Sequence, residues 1–255
     1  MPVLRVATIN LRNRQDRWQE RRHLLVEQLL ETIPDLISLQ EISFPVRQGR
    51  WLRQQLNLRL SGSDKTPYHL YQQPKKHLIK GYYEGIGFLT KLPVIYRDAV
   101  GLGHGGRVAL RLNVELPTRQ TLDFVAVHLH HVPADKQARL EQTMQLVAWL
   151  NGRRRVPRQI IAGDFNAVPT EPAIQYMKQA YRSAYAERYG REPLATYPTA
   201  LVPTDGWSGC LDYIFVSTAV PPIHHAQLFC TRHAPDDNTL YPSDHVGVLA
   251  TINLS

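Results

Sequence analysis

Six apolar segments of the sequence end or break at acids, amides or histidines. The segments and their polar residues are ATIN with Asn10, ISLQE with Glu41, VAVHLHH with His128, IIAGDFN with Asp164 and Asn166, GCLDYIF with Asp212, and YPSDHVG with Asp244 and His245. Sheets place ligands at strand ends, because the strands hold the geometry and the loops supply reach. Six such ends in one chain therefore indicate one shared site.

The residue types at these ends suit the hydrolysis of phosphate esters. The acids and amides make an oxygen-rich set of donors without cysteine, and such a set suits a hard cation such as Mg²⁺ or Mn²⁺. His128 and His245 add bases that titrate near neutral pH. A hard cation, a general base and donors for a developing oxyanion are the components of metal-assisted phosphoester hydrolysis.

Taken singly, some of these residues have an ordinary structural explanation. Asn10 could cap a turn, and the pair Asp244–His245 could be a polar turn before the last strand. Glu41 and Asp212 are harder to explain in this way, because an acid in an apolar segment needs a partner or a cation.

The GDFN segment carries the most local information. Asp164 and Asn166 are spaced to reach the same side of the chain, while Phe165 points into the core. Gly163 allows a close approach by another stretch of backbone. The segment predicts a buried strand that ends in a polar turn at the site.

Strand-like and helix-like segments alternate along the chain. Amphipathic or capped patterns predict helices over 17–33, 49–57, 135–151 and 171–180. Apolar and β-rich runs predict strands over 3–10, 36–41, 68–73, 85–91, 93–102, 107–116, 122–131, 158–166, 211–217, 224–230 and 246–254. Many strands with few helices predict an α/β (α+β) fold of two packed sheets with the helices outside.

One helix and one loop lead to more specific expectations. In the helix over 135–151, Leu140, Met144, Val147 and Ala148 lie on one stripe, which should face a sheet. Residues 186–210 form the longest predicted irregular segment, and a long loop in a compact domain is usually functional. Its aromatic residues, including Trp207, could wall a substrate pocket or pack on the protein's own flank.

Composition and charge limit the classes of function. The chain has 255 residues and a formal net charge of +8, which favours anionic partners such as nucleic acid, phosphorylated metabolites or an acidic lipid surface. Its two cysteines make neither a disulfide framework nor a cysteine metal site. The N-terminus lacks a signal pattern and no apolar run reaches transmembrane length. We expect one domain over 1–255 in a cytoplasmic protein, without integral membrane association and with no obligate protein partner evident.

The motifs TIN, LQE, VHL, GDFN, LDYIF and SDH resemble, in order and approximate spacing, those of the endonuclease/exonuclease/phosphatase superfamily. The resemblance runs from residue 3 to residue 253. It implies a four-layer α/β/β/α sandwich of two packed, mostly antiparallel sheets. It also implies a phosphoric ester hydrolase that depends on Mg²⁺ or Mn²⁺ and uses in-line attack by an activated water.

The resemblance also implies roles for single residues. Glu41 matches the main metal-binding carboxylate, and the other implied metal ligands are Asn10, Asp244, Asp164 and Asn166. Asp164 matches the acid that orients or deprotonates the attacking water, and Asn166 the amide that holds the scissile phosphate. Asp212 matches the acid that orients the catalytic histidine, here His245.

Two departures narrow the resemblance to one side of the superfamily. Apurinic endonucleases carry Tyr where this chain has His128, and Gly soon after the Asn where this chain reads NLRNR. His128 is similar to the second catalytic histidine of the deoxyribonucleases, deadenylases and sphingomyelinases. On that side an acid pairs with this histidine, which suggests Glu84, and an Arg approaches phosphate, which suggests Arg107. The alternatives are an exposed strand charge for Glu84 and a surface ion pair for Arg107.

Three functions compete for this sequence. The first is a phosphodiesterase on nucleic acid, favoured by the net charge, by RRR at 153–155 and by KK at 75–76, although these runs could be solvated faces. The second is a hydrolase of a small phosphorylated metabolite or phospholipid head group. The third is a degenerate binding module without catalysis, which is disfavoured because the core residues are all present.

Overall fold

Two six-stranded β-sheets form the centre of the chain. The computed structural model describes residues 2–62, 66–77, 82–152, 156–203 and 206–254, so the RRR run at 153–155 lies outside the described residues. In chain order the strands are β1 Val3–Asn10, β2 Leu36–Ser43, β3 His69–Pro74, β4 Glu84–Thr90, β5 Val94–Gly101, β6 Val108–Glu115, β7 Thr121–His128, β8 Gln159–Asp164, β9 Arg182–Ser183, β10 Asp212–Val216, β11 Ile223–Phe229 and β12 Gly247–Asn253. The helices are α1 Trp18–Thr32, α2 Gln48–Leu60, α3 Lys136–Leu150, α4 Pro172–Ala180 and α5 Ala184–Tyr189.

The two sheets have similar plans. The first has the strand order β11-β12-β1-β2-β4-β3, and the second has the order β5-β6-β7-β8-β10-β9. Strand β1 runs parallel to β2 through α1, and β7 runs parallel to β8 through α3. The other pairings between described strands are antiparallel. Each sheet therefore contains one βαβ unit, and such units bring their strand ends to one edge.

Three apolar clusters separate four layers. The first lies between the sheets, where Phe88 of β4 and Phe124 of β7 have ring centroids 4.7 Å apart. The second lies between the first sheet and the helices α1 and α2, and the third between the second sheet and the helices α3 and α4. This arrangement confirms the predicted α/β/β/α sandwich.

Strand β8 passes close to β7 at Gly163. A Cβ atom at this position would lie 2.0 Å from the carbonyl oxygen of Val127. No side chain fits at that distance, so the close approach predicted from the GDFN segment requires glycine. The contact brings the ends of β7 and β8 together.

The buried face of α3 differs from the predicted stripe. Val147 is buried as expected, but Met144 is 47% exposed and Ala148 is exposed. The buried positions include Arg139 and Gln142, which hydrogen-bond to backbone groups of the loop after β7. The apolar-stripe rule failed here because polar side chains that bind a loop occupy part of the inner face.

The segment 186–210 is less irregular than predicted, because its first residues belong to α5. The rings of Tyr185 and Tyr189 lie 4.8 Å apart, and the Tyr189 hydroxyl donates to the carbonyl of Ala226 in β11 at 2.6 Å. Gly190, with a φ of 71°, ends the helix.

Among the described residues, no helix combines the length and apolar character needed to span a bilayer.

Candidate active site

The strand register brings the predicted polar residues to one edge of the sandwich. Asp164 at the end of β8 is paired with His128 of β7 and with Asp212 of β10. In the other sheet, Asn10 at the end of β1 is paired with Gln40 of β2. The two sheets meet here, because the Asn10 side-chain amide donates to Oδ2 of Asp164 at 3.0 Å.

A cleft of about 340 Å³ opens between these strand ends. The predicted site residues that line it are Glu41, His128, Asp164, Asn166, Trp207, Asp244 and His245. The lining residues that the sequence analysis did not assign to the site are Arg12, His131, Pro133, Tyr197 and Leu211. Asn10, Glu84, Arg107 and Asp212 lie behind this wall and contact its residues.

Glu41 and Asn166 are two of the three lining residues with left-handed backbone, the third being Arg12. Glu41 has a φ of 53° and lies where the register of β2 and β4 shifts, between Leu39 and Ile42. Asn166 has a φ of 49° directly after β8. Left-handed residues with a Cβ are uncommon and cluster at functional sites, and a bulge redirects a side chain from the face of its sheet. Both side chains are aimed into the cleft in this way.

His245 is held by Asp212. Its Nδ1 lies 2.8 Å from Oδ2 of Asp212, which also accepts the Thr196 hydroxyl at 2.6 Å. Burial would lower the pKa of His245, but the nearby carboxylates, Asp212 first among them, raise that pKa to about 10. The ring of Tyr197 covers the imidazole, with centroids 4.8 Å apart. His245 is thus a buried imidazolium at neutral pH.

Asp164 is fixed by donors on both of its oxygens. The Asn166 backbone amide donates to Oδ1 at 2.8 Å, while Asn10 binds Oδ2. Burial and the charge of Asp212 raise the pKa of Asp164 to about 6, so this acid is an available base at neutral pH. The Asn166 side-chain amide donates to the carbonyl of Leu129 at 3.1 Å, which orients its other groups.

Three carboxylates crowd one part of the site. Ligand atoms of Glu41, Glu84 and His128 lie within 4.8 Å of one another. Burial, followed by the charges of Glu84 and Asp244, raises the pKa of Glu41 to about 7. A hard cation would relieve this repulsion, and carboxylate oxygens are its preferred ligands. Asp244 contributes Oδ2, which lies 3.3 Å from Nε of Arg12.

The partner of His128 differs from the expected one. The family resemblance suggests Glu84 as the partner of this histidine. In the structure, Nδ1 of His128 instead lies 2.6 Å from NH1 of Arg107. Glu84 instead forms an ion pair with Lys75 and accepts a hydrogen bond from Asn13 at 3.2 Å. In the sequence, Lys75 is notable only as part of the basic run KK at 75–76. Nothing in its spacing marks it as a partner, since the pairing depends on how β3 and β4 align.

Arg107 is buried, which rules out the alternative of a surface ion pair. Only 4% of it is exposed, and its second terminal nitrogen lies 3.3 Å from Nδ1 of His131.

Trp207 lies on the cleft wall beside Tyr197, with ring centroids 6.0 Å apart. Sequence reasoning did not assign to the site Thr196 or the lining residues Arg12, His131, Pro133, Tyr197 and Leu211. The available signals were the arginine-rich loop NLRNR for Arg12 and the aromatic residues of segment 186–210 for Tyr197.

The sequence model of the endonuclease/exonuclease/phosphatase family matches residues 7–245. The chain belongs to this family. The match spans nearly all of the sandwich and the three histidines that line the cleft, His128, His131 and His245. Membership in the family supports a metal-dependent phosphoester hydrolase in general terms, without identifying a substrate.

Solved structures of this family show the same fold. The human Nocturnin catalytic domain with bound sulfate is 21% identical, covers 100% of this chain and 94% of that chain, and has a TM-score of 0.79. Danio rerio TDP2 in complex with a single-strand DNA product is 17% identical, covers 100% of both chains, and has a TM-score of 0.76. The mannosyl-6-phosphatase of Bacteroides thetaiotaomicron is 20% identical, covers 98% of this chain and 100% of that chain, and also has a TM-score of 0.76. The comparison with curated protein sequences found no match.

Proposed function

We propose that this protein is a divalent-metal-dependent phosphodiesterase that cleaves nucleic acid by in-line attack of an activated water. The observation that carries the proposal is the convergence of two histidines on one acid. Nε2 of His128 lies 3.6 Å from Oδ2 of Asp164, and Nε2 of His245 lies 3.9 Å from the same oxygen. One base and two N–H donors therefore surround a space where a water and phosphate oxygens can sit.

Each of these groups has a protonation state suited to its proposed role. Asp164 accepts the proton of the attacking water, since its pKa of about 6 leaves it ionised at neutral pH. His245 carries positive charge, held by Asp212, and donates from Nε2 to a phosphate oxygen as negative charge develops there. His128 donates from its own Nε2 to another phosphate oxygen. Asn166 holds the phosphate group through its side-chain amide.

The carboxylate cluster fits a hard cation. Glu41 would hold Mg²⁺ or Mn²⁺, with further oxygens from Asn10, Asp244, Asp164 and Asn166. The raised pKa of Glu41 supports this assignment, because the charges of Glu84 and Asp244 disfavour its ionised form and a bound cation would favour it. When bound, the cation neutralises charge on the phosphate and leaving group. Glu84 joins the cluster as a neighbour of Glu41 and so is better assigned to the metal side than to His128.

A nucleic-acid substrate is favoured by charge and by the aromatic wall. The chain carries a net charge of +8, and the aromatic residues Tyr197 and Trp207 line the cleft. Nucleic-acid binders use both features, the first for the backbone and the second for stacking on bases. The likeness to TDP2 with a bound single-strand DNA product agrees with this choice.

A small phosphorylated metabolite is the second candidate. The cleft volume of about 340 Å³ suits a small ligand, and the mannosyl-6-phosphatase is as similar to this chain as TDP2 is. The two candidates differ in whether the scissile phosphate is a diester within a strand or a group on a small molecule.

A hydrolysis screen tests both candidates. Purified protein would be incubated with Mg²⁺, with Mn²⁺ or with excess chelator, on single- and double-stranded DNA, RNA, nucleotides, sugar phosphates, inositol phosphates and a phospholipid. We expect cleavage of a nucleic acid with either metal, and none in chelator or with Glu41→Ala. Activity that persists in excess chelator would contradict the mechanism, and activity confined to small monoesters would favour the second candidate.

A further inference from the structure

The loop between β1 and α1, residues 11–17, has an unusual backbone. Arg12, Asn13, Asp16 and Arg17 all adopt left-handed conformations, with φ values of 53°, 50°, 47° and 61°. The loop contains no glycine. A residue with a Cβ enters this region at a cost in free energy, so the surrounding structure must impose the shape.

Arg21 imposes that shape from the first turn of α1. It is fully buried, and its guanidinium donates to backbone carbonyls of the loop, to Leu11 at 2.9 Å and Asn13 at 3.0 Å among others. It also donates to the carbonyl of Pro242 at 2.9 Å, which ties the loop to the segment that carries Asp244. The side-chain amide of Gln48 donates to the Asn13 carbonyl from the other side at 2.7 Å.

The loop after β7 is built in the same way. Arg139, at the fourth position of α3 as Arg21 is of α1, is fully buried. It donates to the carbonyls of Val132 at 2.6 Å and Pro133 at 2.9 Å. Two of the loops that border the cleft are thus each held by a buried arginine. The first loop is therefore a preorganised part of the cleft wall.

This construction places Arg12 in the cleft. Its Nε donates to Asp16 at 2.6 Å and lies 3.3 Å from Asp244, and 31% of its side chain is exposed. Within the described residues, neither terminal nitrogen of Arg12 has a hydrogen-bond or ion-pair partner. The side chain is therefore held through Nε, and the terminal N–H groups of this cleft-lining residue are left to bind a ligand.

The terminal N–H groups of Arg12 favour an anionic ligand. A guanidinium stays charged at all physiological pH values and presents paired N–H groups that match two phosphate oxygens. The catalytic groups assigned above already account for the scissile phosphate, and within the described residues Arg12 meets the proposed site residues through Nε, beside Asp244. An additional cation beside them is suited to a second anionic group of the same substrate.

We propose that Arg12 binds a second phosphate of the substrate, next to the scissile phosphate. This inference rests on the proposed function and narrows its substrate class to molecules that carry at least two neighbouring phosphates. Such a molecule is either a nucleic-acid strand with more than one phosphate or a bisphosphorylated small metabolite. Either molecule would make the same contact with Arg12, so an experiment must distinguish the nucleic-acid strand from the bisphosphorylated metabolite.

Equilibrium binding tests the inference without requiring turnover. Dissociation constants would be measured by calorimetry with Mg²⁺, in an Asp164→Asn background, for TpT against pTpT and TpTp. Inositol 4-phosphate against inositol 4,5-bisphosphate, in which the two phosphates are on adjacent carbons, forms the small-metabolite arm. We expect one arm to gain about tenfold in affinity from the extra phosphate, since a bidentate guanidinium–phosphate contact is a strong one.

Variants of the same loop show whether Arg12 supplies that gain. Arg12→Gln should reduce the affinity ratio to near one, and Arg12→Lys should retain part of it. Arg14→Gln is the matched control, because Arg14 is an exposed residue of the same loop, and it should keep the full ratio. Thermal melting of each variant would establish that the fold is intact.

The outcomes distinguish this inference from the proposed function. The inference is wrong if the wild-type site gains nothing from a second phosphate in either arm, or if Arg12→Gln weakens all ligands equally. Absence of hydrolysis by the wild-type protein in the earlier screen would contradict the proposed function alone, because the binding ratios do not depend on turnover.

Discussion

A buried arginine donates to a buried histidine at the back of the cleft: NH1 of Arg107 lies 2.6 Å from Nδ1 of His128. A guanidinium can only donate, so Nδ1 must be the acceptor and the proton of the neutral imidazole must lie on Nε2. Burial and the charge of Arg107 lower the pKa of His128, which agrees with a neutral ring. The Nε2–H group then faces Asp164 and the cleft.

Replacement of Arg107 should therefore disturb the tautomer of His128. In Arg107→Met we expect a mixture of tautomers, a higher pKa for His128 and a loss of kcat on the order of a hundredfold. Nitrogen-15 NMR of the imidazole rings would report the tautomer, and steady-state kinetics the turnover. Arg97→Met, at an exposed position of β5, is the control. An unchanged tautomer in Arg107→Met would show that another group orients His128.

Asp212 should be essential to turnover but not to folding. In Asp212→Asn the amide keeps the size of the acid and removes the charge that stabilises the His245 imidazolium. We expect the pKa of His245 to fall towards its ordinary range and kcat to fall on the order of a thousandfold or more. Thr196→Val, which removes the hydroxyl donor to the same oxygen, should have a smaller effect. Near wild-type turnover in Asp212→Asn would make Asp212 a structural acid.

Glu41 should destabilise the metal-free protein as pH rises. Its pKa is raised from 4.5 to about 7, so its contribution to stability is fully present below pH 4.5 and is lost as pH rises through 7. Glu41→Gln in chelator should therefore exceed the wild type in Tm by at least about 3 °C at pH 8, and by much less at pH 4.5.

Two comparisons separate this effect from general changes in charge. Mg²⁺ or Mn²⁺ at pH 8 should raise the Tm of the wild type more than that of Glu41→Gln. Glu27→Gln, at an exposed position of α1, should show no such pH dependence. A Tm difference between Glu41→Gln and the wild type that is independent of pH would contradict the assignment of a partly buried, repelled carboxylate.

Trp207 should act on substrate binding more than on chemistry. It lies on the cleft wall and is not among the groups that converge on Asp164. Stacking on a base is worth roughly 1–3 kcal/mol in nucleic-acid binders. Trp207→Ala should raise KM several-fold and leave kcat within a few-fold, and Trp207→Phe should restore most of the affinity. A large drop in Tm with an unchanged KM would identify Trp207 as a packing residue.

Binding of nucleic acid should depend steeply on salt. Each phosphate that a Lys or Arg neutralises releases counterions, with a log–log slope of about −0.9 per contact on duplex DNA. Titration of the Asp164→Asn protein with DNA at several salt concentrations would measure this slope. A flat response, or no binding at low salt, would favour a small phosphorylated substrate.

The sequence alone predicted most of the polar residues that the structure brings together and the architecture that holds them. Apolar runs that end in acids, amides and histidines are visible in a single sequence, because a strand must bury its apolar side chains and a ligand site lies at its end. The order of the six motifs added the four-layer sandwich, which the structure confirms. Asp164, His128 and Asp212 indeed lie side by side in one register.

Only the tertiary structure decided the partners of these residues. Arg107 rather than Glu84 binds His128, because the hydrogen-bond partner of a side chain depends on distances between strands far apart in sequence. Arg21 and Arg139 are buried although arginine is usually exposed, since backbone carbonyls satisfy both, together with Glu171 for Arg139, and such partners leave no trace in sequence. The inner face of α3 was mispredicted for this same reason. Sequence patterns indicate which side chains are buried. The hydrogen-bond partner of a polar side chain is set only when the folded backbone brings donor and acceptor together.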